Sequence, residues 1–447
     1  MKRRMVIIAA LVIAWTLWIG EGTVAEAGSY SVRGVWVSCF EYKDVGLCTK
    51  SEAEFRKNAD RLFANIKANG CNTVYFHVRS FDDAIYPSST VGWSKYLLDG
   101  GRAPSFNPLR ILIDYAHKYG LKFHAWMNPY RITYKKILNP ASAETTAKIV
   151  RQVKEIINNY KVDGIHFDDY FYPSNIKKYK NVKKEERKKN VNQMVRAVYR
   201  TVKAKNRRLK FGISPAGNIS NCEKMGADVK TWMSQRGYVD YIAPQIYWTD
   251  SYGKKGKKTA MFSERFAQWQ SYNRLDIPMY IGLALYRTGC RISDDGGWKK
   301  SNKNIVNQMQ KIKAGNSEGY ILFQYTDLYR SAAAKEVKNY LKKLASVRIS
   351  KKKKTIRAGK KYKLKASLSP SRLGKKIKWK SANKKIATVS KKGVVKAKKK
   401  GKVKIYAYYG AVKKYCTVKV KAKKKASKKA SKKTGKKKKK GKKAKKK

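Results

Sequence analysis

Two periodicities alternate along the chain. The runs RGVWVSCF (33–40), NTVYFHVRS (72–80), LKFHAWMN (121–128) and VDGIHFDD (162–169) are short and dense in β-branched and aromatic residues. LKFGIS (209–214), VDYIAPQIYW (239–248), PMYIGLALY (278–286) and GYILFQY (319–325) continue the pattern. Between them lie segments such as EAEFRKNADRLFANIKANG and IVRQVKEIINNYKV, whose apolar residues recur every three or four positions, as amphipathic helices require. Gly70 and Gly120 mark helix ends. Eight strand–helix units over roughly 310 residues predict an α/β fold, a closed (β/α)8 TIM barrel spanning 28–345. A doubly wound open sheet is the alternative, and eight regular units favour closure.

Near residue 346 the pattern changes to short alternating runs with turn residues between them and no helical periodicity. This predicts a small antiparallel β-sandwich over 346–422. The stretch 423–447 holds 17 lysines with only Ala, Ser, Gly and Thr, which cannot bury enough apolar surface to fold and is expected to be disordered. At the other end, Lys2, Arg3 and Arg4 precede an apolar run from Met5 to Ile19, and Ala25–Glu26–Ala27 supplies a small-x-small cleavage site. Residues 1–27 therefore read as a secretory signal peptide, so the mature protein is expected to be extracellular and wall-associated, with no stable transmembrane segment.

Charge sharpens this picture. The chain carries a formal net charge of +76. From Ser346 to Lys447 there are 46 Lys and Arg and no Asp or Glu, which leaves 30 units (76 − 46) for the first 345 residues. Such a segment is an adhesive surface for polyanions. For an exported protein the expected partners are anionic cell-wall polymers, and nucleic acid is not. Six cysteines show no CxxC and no zinc-like spacing; Cys39 and Cys48 form the most local candidate disulfide, and a set of mostly unbridged or structural thiols is the alternative reading.

A TIM barrel carries its site at the C-terminal strand ends, and strand parity sorts the residues there. Tyr75, His77 and Arg79 share one face, as do His124, Trp126 and Asn128, His166 and Asp168, and Gln245 and Tyr247. Polar groups facing the helices would be costly, so these sets are expected to point inward and upward. Asp168 lies on the inward face, whereas Asp169 has the opposite parity unless the strand has already ended. Asp163 begins the strand and reads as a turn or cap residue. Tyr170, Phe171, Tyr172, Trp93, Tyr130, Tyr247 and Trp248 follow strand ends, and aromatic platforms beside carboxylates suit a sugar ring. Glycosidases use two carboxyl groups; candidates for the second are Asp83, Asp169, Asp228 and Glu223. No HExxH, phosphate loop, dinucleotide fingerprint or GxSxG elbow is present, and neither metal nor cofactor is expected.

The blocks RGVWVS, FHVRSFDDAIYPSS, HAWMNPYRI, VDGIHFDDYFYP, FGISPAGN, VDYIAPQIYW and YIGLALYR resemble, in order, the glycosyl-hydrolase-like family 10 of exported TIM-barrel proteins, over nearly all of 31–340. The resemblance implies glycan hydrolysis, with some members linked to peptidoglycan strands stripped of their stem peptides. It implies Asp168 and Asp169 as catalytic acids, adds Asp228 of ADVKTW, and places Arg79, Asp83, Asn128, Arg131, Gln245 and Tyr247 along the cleft. Two positions depart from the family pattern: His77, where Gln is more usual, and Asp82, where Gly is. Segment 346–421 resembles a group 2 bacterial immunoglobulin-like domain through IKWKSANKKIATVSKKGVVKAKKKGKVKIYA, with lysines where acids are usual. The reading that results is an exported glycoside hydrolase acting on wall glycan. The alternative is a non-catalytic glycan-binding or surface-structural protein.

Overall fold

The computed structural model describes residues 30–253, 258–315, 317–343, 346–369, 377–409 and 412–422. The signal peptide expected over 1–27 and the Lys-rich tail expected over 423–447 lie outside the described residues. The chain divides into two compact units, Met1–Leu344 and Ala345–Lys447.

The first unit repeats strand and helix eight times. In order these are β1 (Val32–Val37), α1 (Glu52–Ala68), β2 (Thr73–Arg79), α2 (Pro108–Lys118), β3 (Lys122–Met127) and α3 (Ala143–Asn159). Next come β4 (Gly164–Phe167), α4 (Lys184–Lys205), β5 (Lys210–Ile213), α5 (Ile219–Lys224), α6 (Val229–Ser234), β6 (Tyr241–Ile242) and α7 (Met261–Tyr272). The unit ends with β7 (Tyr280–Ala284), α8 (Asn304–Ala314), β8 (Gly319–Phe323) and α9 (Ala334–Lys343). The strands pair in parallel in the order β6-β5-β4-β3-β2-β1-β8-β7. Parallel bridges Ile242–Met279 and Gln245–Gly282 join β6 to β7 and close the ring. This is the expected TIM barrel.

Local chemistry sets these elements. Ser51 and Ser142 cap α1 and α3 through their hydroxyls, and Asn107 caps α2 ahead of Pro108 at its first position. In α1 the buried residues Phe55, Ala59, Leu62, Phe63 and Ile66 form one stripe at helical spacing. Full burial of such aromatic and branched side chains stabilises by about 1.5–3 kcal/mol each.

Inside the barrel, Trp36, Tyr75, Trp126, Tyr241, Ala243 and Ile321 pack together, with Tyr280 and Phe323 against them. Gly212 makes this layer possible, because a Cβ there would fall within the Tyr241 ring. At the mouth, the buried Glu41 accepts from Ser38 N (2.8 Å) and Thr326 N (2.7 Å), tying the loop after β1 to the loop after β8. Burial pushes its carboxyl up to about 7. The native fold thus binds this proton more tightly than the unfolded chain, so this contribution to stability is full below the usual Glu range and lost as pH rises through about 7. Glu41→Ala strands two buried N–H groups and should cost roughly 2–4 kcal/mol in a denaturant titration.

The second unit is all β and shows the expected immunoglobulin-like character. Its strands are β9 (Ser346–Ile349), β10 (Lys353–Arg357), β11 (Lys361–Lys363), β12 (Ala366–Ser369), β13 (Lys378–Ser381), β14 (Ala387–Val389), β15 (Val394–Ala397), β16 (Gly401–Tyr409) and β17 (Val412–Lys421). The four-stranded sheet β10-β17-β16-β13 buries Val403, Ile405, Cys416 and Val418 against Leu364, Ala387 and Val395. One pair, β10 with β17, is parallel rather than antiparallel. Cys39 is buried and Cys48 exposed, and no disulfide joins them, so the candidate pairing does not form. Among the described residues no helix is long and apolar enough to cross a membrane.

Candidate active site

The site is built where β4 ends. Asp168 follows Phe167 by one residue and keeps the inward parity expected of it. Its Oδ2 accepts from Trp126 Nε1 (3.3 Å) and Asn128 Nδ2 (3.1 Å), and its Oδ1 from Tyr170 N (3.4 Å). Burial raises its pKa above the usual Asp range, against the opposing pull of Arg131, these hydrogen bonds and Arg79. Because β4 has ended at Phe167, Asp169 is released from strand parity and lies near enough to Gln245 for its amide to oppose part of the rise in the Asp169 pKa. Burial first, then the neighbouring Asp168 charge, pushes Asp169 up to about 7. The two carboxyls form a coupled pair. Three donors hold the Asp168 anion, so the first proton leaves there and the second stays on Asp169 towards neutral pH.

Arg131 governs this pair. Its backbone N–H donates to Asn128 Oδ1 (3.2 Å), and its guanidinium lies 3.4 Å from the Tyr170 ring centroid. Its charge lowers both aspartates relative to where burial alone would put them. Arg131→Ala should therefore raise both pKa values, moving the two limbs of a pH–rate profile or of a carboxyl NMR titration to higher pH. Unmoved limbs would refute this role.

His77 and Trp126 stack face to face, with centroids 3.9 Å apart and planes 5° apart. Burial, followed by the charges of Arg131 and Arg79, keeps His77 neutral, and both its ring nitrogens are buried without a hydrogen-bond partner among the described residues. Tyr170, Gln245, Tyr247 and Trp248 are half-buried around the mouth. Gln245 Nε2 donates to Ser214 O (2.9 Å), and the Asp169 charge helps to raise Tyr247, after burial and Tyr286.

Other expected site residues lie elsewhere. Arg79 is fully buried, donating to Asn128 O and, at 2.6 Å, to Asp82 Oδ1, so it supports the mouth from beneath instead of lining it. Asp83 Oδ1 accepts from Ser80 N, Ser80 Oγ and Phe81 N, which anchors this loop, and Asp83 also lines the cavity bounded by Phe81, Trp93, Tyr96 and Tyr134. Asp82 adopts φ 56°, the left-handed region that glycine enters most easily. Here the aspartate gains ion pairs with Arg79 (2.6 Å) and Lys148 (2.8 Å).

His124 and His166 point inward as expected but sit too deep to reach a substrate. Trp36 Nε1 can only donate, so His166 Nε2 (3.1 Å) accepts and its proton rests on Nδ1. That proton goes to Tyr241 Oη (3.0 Å), whose own proton goes to His124 Nδ1 (3.0 Å). Burial holds His166 well below the usual range and His124 at about 4, so both are neutral core residues. Asp228 accepts from Asn192 Nδ2 (2.8 Å) of α4, and Asn192 in turn accepts from Trp232. This bonding ties Asp228 to the helical ring and not to the Asp168–Asp169 pair. Glu223 is paired with Lys184 and Lys230. Asp163 accepts from Phe123 N and pairs with His117 and Lys122 at the barrel bottom. Tyr130, Phe171 and Tyr172 are core.

Sequence reasoning missed Phe81, Tyr134, Tyr286 and Phe323, which surround the mouth. Their signal was weak, because they occupy irregular loops or a strand end with no polar neighbour of matching parity.

The family model for glycosyl hydrolase-like 10 matches residues 31–137 and 133–300. The chain belongs to the glycosyl hydrolase-like 10 family. The model for the group 2 bacterial Ig-like domain matches 343–420. Among similar curated proteins, the glycosyl hydrolase YngK of Bacillus subtilis (strain 168) is 31% identical over 320 residues, 57% of this chain and 61% of that protein. The chain thus spans about three-fifths of that relative's length. The glycosyl hydrolase DigH of Escherichia coli (strain K12) is 29% identical over 339 residues, 59% of this chain and 75% of that one. Among solved structures, the PgaB (BpsB) glycoside hydrolase domain from Bordetella bronchiseptica covers 69% of this chain and 98% of its own. Its identity is 11% and its TM-score 0.49, too low to support any argument about function.

Proposed function

We propose that this glycosyl hydrolase-like 10 protein is an exported glycoside hydrolase that cleaves O-glycosidic bonds in peptidoglycan glycan strands freed of their stem peptides. The observation that carries the reading is the pair at the end of β4, two adjacent carboxyls whose surroundings separate their protonation states. Asp169 keeps its proton to about pH 7 and donates it to the leaving glycosidic oxygen. Asp168, held as an anion by Trp126, Asn128 and the Tyr170 N–H, faces the positive charge that develops at the anomeric carbon. Tyr170, Tyr247 and Trp248 offer ring faces to the sugar, and Asn128 keeps Asp168 oriented. Asp228 has a structural part through Asn192.

The N-terminal basic and apolar run supports export. The family resemblance supports the substrate. The second unit supports retention on anionic wall polymers, because the outer face of the sheet β10-β17-β16-β13 is cationic. Lys353, Arg357, Lys378, Lys380, Lys402, Lys404, Lys419 and Lys421 are all exposed there. Lys402 faces Lys419 directly across the strands, a like-charge pairing that destabilises a bare sheet and that a bound polyanion relieves.

The reading is tested by incubating the protein with intact peptidoglycan, peptide-free glycan strands and unrelated polysaccharides, and measuring new reducing ends. Release from the peptide-free strands is expected. Binding to them without any release would instead support a non-catalytic glycan-binding protein.

A further inference from the structure

We infer that the barrel mouth holds a linear glycan across two aromatic platforms on opposite sides of the catalytic pair, so that the enzyme cuts within chains instead of removing terminal sugars. The inference rests on the hydrolase reading above.

The first platform rises from the loops after β2, β3 and β4. Arg131 lies over Tyr170, with its guanidinium 5.3 Å from the Phe81 centroid and 5.7 Å from that of Tyr134. Phe81 stacks on Tyr96 at 5.3 Å and meets Tyr134 edge-on at 5.1 Å. Phe81, Trp93, Tyr96 and Tyr134 line a cavity of about 460 Å³, and Tyr134 leaves 52% of its surface in water. The second platform rises from the ends of β6, β7 and β8. Tyr286 lies 5.8 Å from Phe323 and 6.2 Å from Tyr247, and is 37% exposed.

In a closed ring of eight strands, β2 faces β6 and β3 faces β7. The platforms therefore stand across the mouth from each other. The catalytic pair connects them: Asp168 touches Tyr170 on one side, and Asp169 faces Gln245 and Tyr247 on the other. Contiguous aromatic surface open to water marks a ligand-binding groove. A pyranose matches the platforms, with C–H faces for the rings and hydroxyls for the half-buried Gln245 and Arg131. A substrate touching both platforms places sugar rings on both sides of the bond between them.

The test uses the full chain and peptide-free peptidoglycan strands fractionated by length and tagged at the reducing end. Early products of intermediate length are expected. Tyr134→Ala and Tyr286→Ala should each lower kcat/KM on long strands roughly 3- to 10-fold, the scale of one lost aromatic contact. Terminal mono- or disaccharides as the sole products from the first turnovers would overturn the inference, as would long-strand kinetics unchanged in both variants. If no strand is cut, the hydrolase reading fails and binding judges the platforms alone. Weaker binding of long strands in both variants would then support a two-sided groove, and unchanged binding would overturn it.

Discussion

Asp168→Asn is expected to reduce hydrolysis by about 10³-fold or more while leaving the barrel folded. The fold should survive because the substitution exchanges one acceptor for a donor in a half-buried position and also removes a partly desolvated charge, two effects of opposite sign. Activity should not survive, because the amide cannot supply the negative charge that faces the anomeric carbon. The same variant has a second readout. Asp169 is held at about 7 partly by the Asp168 charge, so removing that charge should lower the Asp169 pKa, visible in a carboxyl NMR titration. An Asp169 that titrates unchanged would mean that the two groups are not coupled. Asp169→Asn removes the proposed proton donor and should cost about 10²–10⁴-fold, with the smallest loss on substrates whose leaving group needs no proton. For the wild type these assignments give a bell. The rate falls on the acid side as Asp168 becomes protonated, and on the basic side as Asp169 loses its proton near pH 7.

Neutralising the cationic sheet face should release the protein from walls. Replacing Lys353, Arg357, Lys378, Lys380, Lys402, Lys404, Lys419 and Lys421 by Gln in the full chain removes eight exposed charges while retaining the residues that form the core of that sheet. Retention on dense polyanions depends on counterion release, so affinity at low salt should fall by on the order of 10²–10³-fold and its salt dependence should flatten. Substitution of exposed lysines off this face, such as Lys384, Lys385, Lys391 and Lys392, should have a smaller effect. Equal losses in the two sets would show that overall charge, and not this face, holds the protein.

Much of this architecture was legible in the sequence. Eight alternating units led to the barrel, and strand parity correctly put Tyr75, His77, His124, Trp126, His166 and Asp168 inside it. Parity reports a face and says nothing of depth. His124 and His166 share their faces with Asn128 and Asp168 but lie two or four residues further down, where Tyr241 and Trp36 satisfy them. Arg79 misled for a related reason: a buried guanidinium that supports a backbone carbonyl reads in sequence like one that meets a substrate. Asp169 was left open because its orientation depends on where β4 stops, which hydrogen bonding decides and composition does not. The aromatic platforms were partly hidden, because loop residues such as Phe81 and Tyr134 carry no periodicity to locate them.

The most direct test of Asp168 and Asp169 as a catalytic pair measures new reducing ends from peptide-free glycan strands with wild type, Asp168→Asn and Asp169→Asn, each checked for a native thermal transition. Release by the wild type, reduced about a hundredfold or more in both folded variants, is the expected result. Undiminished release by the two variants would contradict it.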